Sequence, residues 1–231
     1  MDNDEWLIKG HATYHQRILQ VTTGESIENF VSDRISESIV AASCETLIPN
    51  RDSWIDGFPS QMPTGNCCYT DGSVLGERVG LGLFIEETNT KISFRLTDHN
   101  TILQAKVRAI TECLNWLNAN TRSAIVNVLT DSKIAINTIT SKTVTSRTVL
   151  ECINSINNYS QHGLVRIIWV PGHNGIRGNE IANSLARTGR ELAAVNLDNP
   201  LPLKASRLML KTWAKNLIIS SIYTQPLYFR F

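Results

Sequence analysis

From residue 66 onward the chain alternates short β-branched or apolar runs with longer stretches of helical spacing. Residues 66–71, then Gly80-Leu81-Gly82-Leu83-Phe84-Ile85, then Lys91-Ile92-Ser93-Phe94-Arg95-Leu96 predict three strands. The third alternates apolar and polar positions, which marks it as half-exposed. Short, turn-rich connections make the three an antiparallel meander. Thr101 to about Asn118 then predicts a helix, with Leu103, Ile110, Leu114 and Leu117 along one stripe. A fourth strand follows at 124–130, one or two helices within 132–160, a fifth strand at 165–170, and a last helix from near Asn179. The layout predicts an α/β fold built on a five-stranded mixed sheet with flanking helices: three antiparallel strands, then alternating helices and strands.

The flanks are less regular. Residues 1–65 read as a connector, with a candidate helix around 26–31 and a Pro- and Gly-containing linker from Pro49 to Gly65. The domain proper is expected over 66–195, and 196–231 reads as a basic tail. That tail places Leu208, Leu210, Trp213 and Leu217 among Lys204, Arg207, Lys211 and Lys215.

Composition narrows the class. The 231 residues are 42% hydrophobic and 19% charged, as in an ordinary globular protein. No apolar run approaches the roughly 18 residues that span a bilayer. Five cysteines form no CxxC pair, so a reduced intracellular protein without a zinc knuckle is the expectation; a monomer is expected as well. The net charge of +1 is unevenly spread: residues 1–60 carry 4 Lys/Arg against 10 Asp/Glu, which is −6. Residues 61–200 carry 13 against 11, which is +2, and 201–231 carry 5 against none, which is +5. A strongly basic, nonspecific nucleic-acid binder is excluded.

Candidate chemistry sits at two strand ends. Cys67-Cys68-Tyr69-Thr70-Asp71-Gly72-Ser73 delivers a carboxylate followed by a glycine, and Val126-Asn127-Val128-Leu129-Thr130-Asp131-Ser132 repeats the pattern. Asp71-Gly72 alone is equally an ordinary hairpin turn. The second copy favours a site, because ligands in α/β sheets gather at the carboxyl ends of strands. Gly80 and Gly82 read either as a close approach for a nucleic-acid backbone or as a bulge.

Four motifs occur in one order: Tyr69–Ser73, Gln104-Ala105-Lys106-Val107-Arg108-Ala109-Ile110, Thr130-Asp131-Ser132, and Trp169-Val170-Pro171-Gly172-His173 continuing to Gly178-Asn179-Glu180-Ile181-Ala182-Asn183. Together they resemble type 1 ribonuclease H over about residues 66–193, most closely the domains of insect non-LTR retrotransposon polyproteins. The resemblance implies hydrolysis of the RNA strand of an RNA–DNA hybrid with two Mg2+ ions, Mn2+ being an alternative. It also implies a reverse transcriptase domain upstream in a longer polyprotein. Asp71 and Asp131 match metal-binding carboxylates, Asn183 the position of a third, and His173 the mobile histidine near the scissile phosphate. Ser73, Asn100 and Gln104 are candidate nucleic-acid contacts. An integrase or transposase of the same broad fold has no place for Trp169–Asn183.

Two positions depart from the pattern. The family's glutamate is Lys106 here, and its aspartate is Asn183. Together they move the site charge by +3, two units at 106 and one at 183. Two unit charges 4 Å apart interact by about 4 kcal/mol at an effective dielectric of 20, and a divalent ion about doubles that. Weakened metal binding and a degenerate, non-cleaving site are therefore expected alternatives to an active nuclease. Lys106 lies near the inward stripe of its helix. Its ammonium either sits between Asp71 and Asp131 as a substitute cation or snorkels into water, and the sequence leaves both open.

Overall fold

The computed structural model describes residues 32–55, 63–121 and 123–205, with positions 211 and 215 beyond them. The candidate helix around 26–31 and most of the basic tail, including Trp213, lie outside the described residues. The chain divides into two units, the larger of which is Asp33–Pro200. The elements of this larger unit are β1 (Arg34–Ile39), β2 (Glu45–Leu47), β3 (Asn66–Leu75), β4 (Arg78–Ile85), β5 (Thr90–Leu96), α1 (Ile102–Asn120), β6 (Ile125–Thr130), α2 (Lys133–Ile139), β7 (Thr143–Ser146), α3 (Arg147–Tyr159), β8 (Leu164–Trp169) and α4 (Arg177–Glu191).

All five predicted strands form and pair as a mixed sheet in the order β2-β8-β6-β3-β4-β5. β3, β4 and β5 are the antiparallel meander, while β6 and β8 run parallel to β3 and to each other. The central parallel strands are buried on both faces, which explains their nearly unbroken apolar sequence. A sixth strand, β2, adds to β8 in parallel from within the stretch read as a connector. β1 from that same stretch pairs with β7, splitting the expected 132–160 helices into α2 and α3.

Two local readings change. β3 does not stop at Asp71 but runs to Leu75, so Gly72 is a strand residue and the turn falls at Gly76, where φ is +60°. Gly80 and Gly82 open no path for nucleic acid, since α4 already lies against them. A Cβ on Gly82 would stand 2.3 Å from the Ala182 carbonyl oxygen and 2.4 Å from the Ala186 nitrogen. The pair is a seat for a helix, and the small Ala182 and Ala186 face it from the other side.

α1 begins with a reciprocal cap. Thr101 Oγ1 accepts from Gln104 N at 3.1 Å, and Thr101 N donates to Gln104 Oε1 at 3.0 Å. Ala105, Ile110, Leu114 and Leu117 of α1 are buried against one face of the sheet, and α4 covers β3, β4 and β5.

Candidate active site

The site follows from strand register. Thr70 of β3 is paired with Thr130 of β6, so the next residues, Asp71 and Asp131, leave two adjacent parallel strands side by side. At Asp71 the parallel ladder with β6 ends, while antiparallel pairing with β4 continues through Gly72. Asp71 is 5% exposed, and its Oδ1 accepts from its neighbour's Gly72 N at 2.7 Å.

Gly72 brings α1 into this corner. A Cβ there would stand 2.7 Å from Ala105 Cβ and 2.9 Å from Lys106 N. The helix therefore rests on bare backbone, and Lys106 projects at the carboxylates. Its Nζ donates to Asp71 Oδ1 at 2.6 Å and also to Asp131 Oδ1. The Lys106 side chain is 15% exposed, so the ammonium is inside the cleft and does not snorkel away from it. Burial alone would lower the Lys106 pKa, but Asp71 and Asp131 outweigh it and hold the ammonium charged above the ordinary lysine range. Burial pushes the Asp71 carboxyl up, against the pull of Lys106 and with the Asp131 charge adding to the rise. Two carboxylates and one ammonium leave a local charge of −1.

Trp169, at the end of β8, holds the second carboxylate's backbone. Its indole Nε1–H donates to the Asp131 carbonyl at 3.1 Å, and Lys133 Nζ lies 4.0 Å over its ring. The sequence motif contained Trp169 but gave it no role; the turn that carries Asp131 is what it secures. The loop after β8 passes beside Asp131, where a Cβ on Gly172 would stand 3.0 Å from Asp131 Oδ2. His173 follows, exposed and in the left-handed region with φ +55°. Asn183 is half-buried on α4, next to the Ala182 that crosses Gly82, and Gly82 is the strand partner of Asp71. The structure thus gathers Asp71, Asp131 and Lys106 in direct contact and brings the elements carrying Asn183 and His173 beside them.

The three proposed nucleic-acid contacts are engaged inside the protein instead. Ser73 is 8% exposed, and its Oγ accepts from Arg190 at 2.7 Å. Asn100, 3% exposed, donates to the Thr97 carbonyl and accepts from Asn199, while Gln104, 6% exposed, donates to the Pro200 carbonyl at 3.0 Å. All three side chains are thus buried in bonded networks.

A mixed sheet with paired carboxylates at adjacent strands, roofed by α1 and α4, defines the ribonuclease H-like class. The RNase H family model matches residues 63–191, more than half of the chain, and the chain belongs to that family. Ribonuclease H1 of Rattus norvegicus is 28% identical over 139 residues, covering 54% of this chain and 48% of the rat protein. The chain therefore matches about half the length of that relative.

Enzymes of the family generally use divalent metal ions. The residues here do not fit such ions: the place between Asp71 and Asp131 is taken by the Lys106 ammonium. Among the described residues no group of three or more His, Cys, Asp or Glu converges as a metal site. Asn183 offers an oxygen without charge, a weaker ligand for a hard cation than the carboxylate it stands in for.

Proposed function

We propose that this chain is a ribonuclease H-fold module that binds RNA–DNA hybrids without cleaving them, descended from a retroelement ribonuclease H. The observation that carries this reading is Lys106 Nζ, bonded to Asp71 and Asp131 where the chemistry would place a metal. A cation built into the helix neutralises the same repulsion a metal relieves, so the cleft keeps its shape without magnesium. Hybrid binding rests on membership of the family. Retroelement descent rests on the likeness of the Trp169–Asn183 block, and with it an upstream reverse transcriptase partner and action inside the cell.

The test combines binding and cleavage of a labelled RNA–DNA hybrid, in Mg2+ and in Mn2+. The chain should bind with and without divalent ion and leave the RNA intact. Lys106→Glu combined with Asn183→Asp should restore cutting. Cleavage by the unaltered chain would overturn the non-cleaving reading, and absence of binding would overturn the hybrid reading.

A further inference from the structure

Two parts of the chain turn the three candidate nucleic-acid contacts inward. The first is the end of α4. Ser73 of β3 pairs with Gly80 of β4, and α4 lies so close over Gly80 that a Cβ there would stand 2.1 Å from Arg190 N. Arg190 is thereby delivered to Ser73, and its Nη1 donates to Ser73 Oγ at 2.7 Å.

The second is the strap that follows α4, residues 192–200, beyond the family-matched 63–191. Arg95 of β5 fastens it. The Arg95 N donates to Asn196 Oδ1 at 2.7 Å, its carbonyl accepts from Asn196 N and Leu197 N, and its guanidinium donates to the Leu192 carbonyl at 2.8 Å. Asn199 N then donates to Thr97 Oγ1 at 3.1 Å, which brings the strap to the start of α1. There Asn199 Nδ2 donates to Asn100 Oδ1 at 2.6 Å, and the Pro200 carbonyl accepts from Gln104 Nε2 at 3.0 Å. Gln104 Oε1 already accepts from Thr101 N and Thr101 Oγ1, so both its lone pairs are used. At the exposed start of α1 stands Ile102, 45% exposed, whose side chain neither donates nor accepts.

A protein separates RNA from DNA by hydrogen bonds to the 2′-hydroxyl, while contacts to phosphates read charge in either. We propose that this chain does not distinguish ribose from deoxyribose: Arg190 and the strap hold Ser73, Asn100 and Gln104 inward, and a DNA duplex is bound as well as an RNA–DNA hybrid. This rests on the proposed hybrid binding and widens its substrate class to DNA duplexes.

The experiment measures binding of a labelled RNA–DNA hybrid and a DNA duplex of the same sequence, at one salt concentration. The two dissociation constants of the unaltered chain should agree within about threefold. Ser73→Ala and Asn100→Ala should leave their ratio unchanged, since neither side chain reads the sugar. Asn199→Ala frees Asn100 and should shift the ratio toward the hybrid by about threefold to tenfold, the effect of one added hydrogen bond. Arg190→Met frees Ser73 and should shift it likewise; both affinities fall with the lost cation, but the ratio still moves. A purely structural role would not move a ratio measured on one protein. Should one of these two variants fold poorly, the other decides.

A larger preference for the hybrid in the unaltered chain overturns the proposal and leaves the hybrid reading standing. An unchanged ratio in both Asn199→Ala and Arg190→Met also overturns it. Binding of the DNA duplex alone overturns the hybrid reading while supporting the absence of ribose contacts. Binding of neither duplex overturns both.

Discussion

Lys106 Nζ lies 2.6 Å from Asp71 Oδ1 although one residue belongs to α1 and the other to β3. Their meeting depends on Gly72, whose missing side chain lets the helix backbone approach the strand. Lys106→Met removes the cation and leaves Asp71 facing Asp131. Removing one partner of a buried ion pair costs about 3–5 kcal/mol, and the partly open cleft reduces this to about 2–3. Urea unfolding at pH 7 should show that loss. Millimolar Mg2+ should recover part of it in Lys106→Met while leaving the unaltered chain unchanged. An equal magnesium response from the unaltered chain would mean that the ammonium does not fill the cation position.

Gly82→Ala tests what roofs the site. The new Cβ would enter the backbone of α4 at 2.3–2.4 Å, and backbone cannot rotate away as a side chain can. The helix must lift from β4, carrying Asn183 with it. Overpacking of this kind costs about 3 kcal/mol or more. A chain with Gly82→Ala that unfolds at the same urea concentration as the original would show that α4 is not seated on the glycines.

Much of the fold and site was legible from residue pattern, and the exceptions have physical causes. The strands announced themselves through alternation or unbroken apolar runs, and Asp71 and Asp131 through a repeated strand-end pattern. β2 had no such signal: its three residues are exposed, and it joins β8 through its backbone and one ion pair, Arg166 to Glu45. Gly72 looked like a turn because Asp-Gly is a turn pair, yet here it admits a helix. Gly80 and Gly82 are neither a nucleic-acid approach nor a bulge, the two readings open to them: they seat a helix that lies about a hundred residues on in sequence. Lys106 could be placed near its helix's inward stripe; its bonds to two carboxylates follow from strand register and the Gly72 contact together.

Trp169→Phe removes one donor while keeping an aromatic ring under Lys133. The Asp131 carbonyl loses its bond from Nε1, at a cost of about 1–2 kcal/mol for an unmet buried acceptor. Crosspeak changes in a backbone amide spectrum should concentrate on 130–133 and on the loop 170–176 that passes Asp131. Changes spread evenly over the sheet would show that Trp169 supports the core in general and not this turn.

The thiols give a pH dependence with a definite sign. Burial pushes Cys152 up to about 12, and Cys44 and Cys67 up to about 11. Cys152 is fully buried, so its shift bears most directly on stability. A group with a raised pKa in the folded state contributes stability that is complete below its unfolded pKa, about 8.5 for a thiol. The contribution is then lost as pH rises toward the folded value. Each pH unit in that window costs about 1.4 kcal/mol per thiol, because the unfolded chain ionises and the folded one does not. Unfolding free energies of the original chain and of Cys152→Ala, measured at pH 7.5 and pH 9.5, isolate this one group from lysines and tyrosines that titrate in both. The stability gap between the two chains should shrink by about 1 kcal/mol over that interval. A gap that stays constant would mean that Cys152 ionises as readily in the folded chain as in the unfolded one.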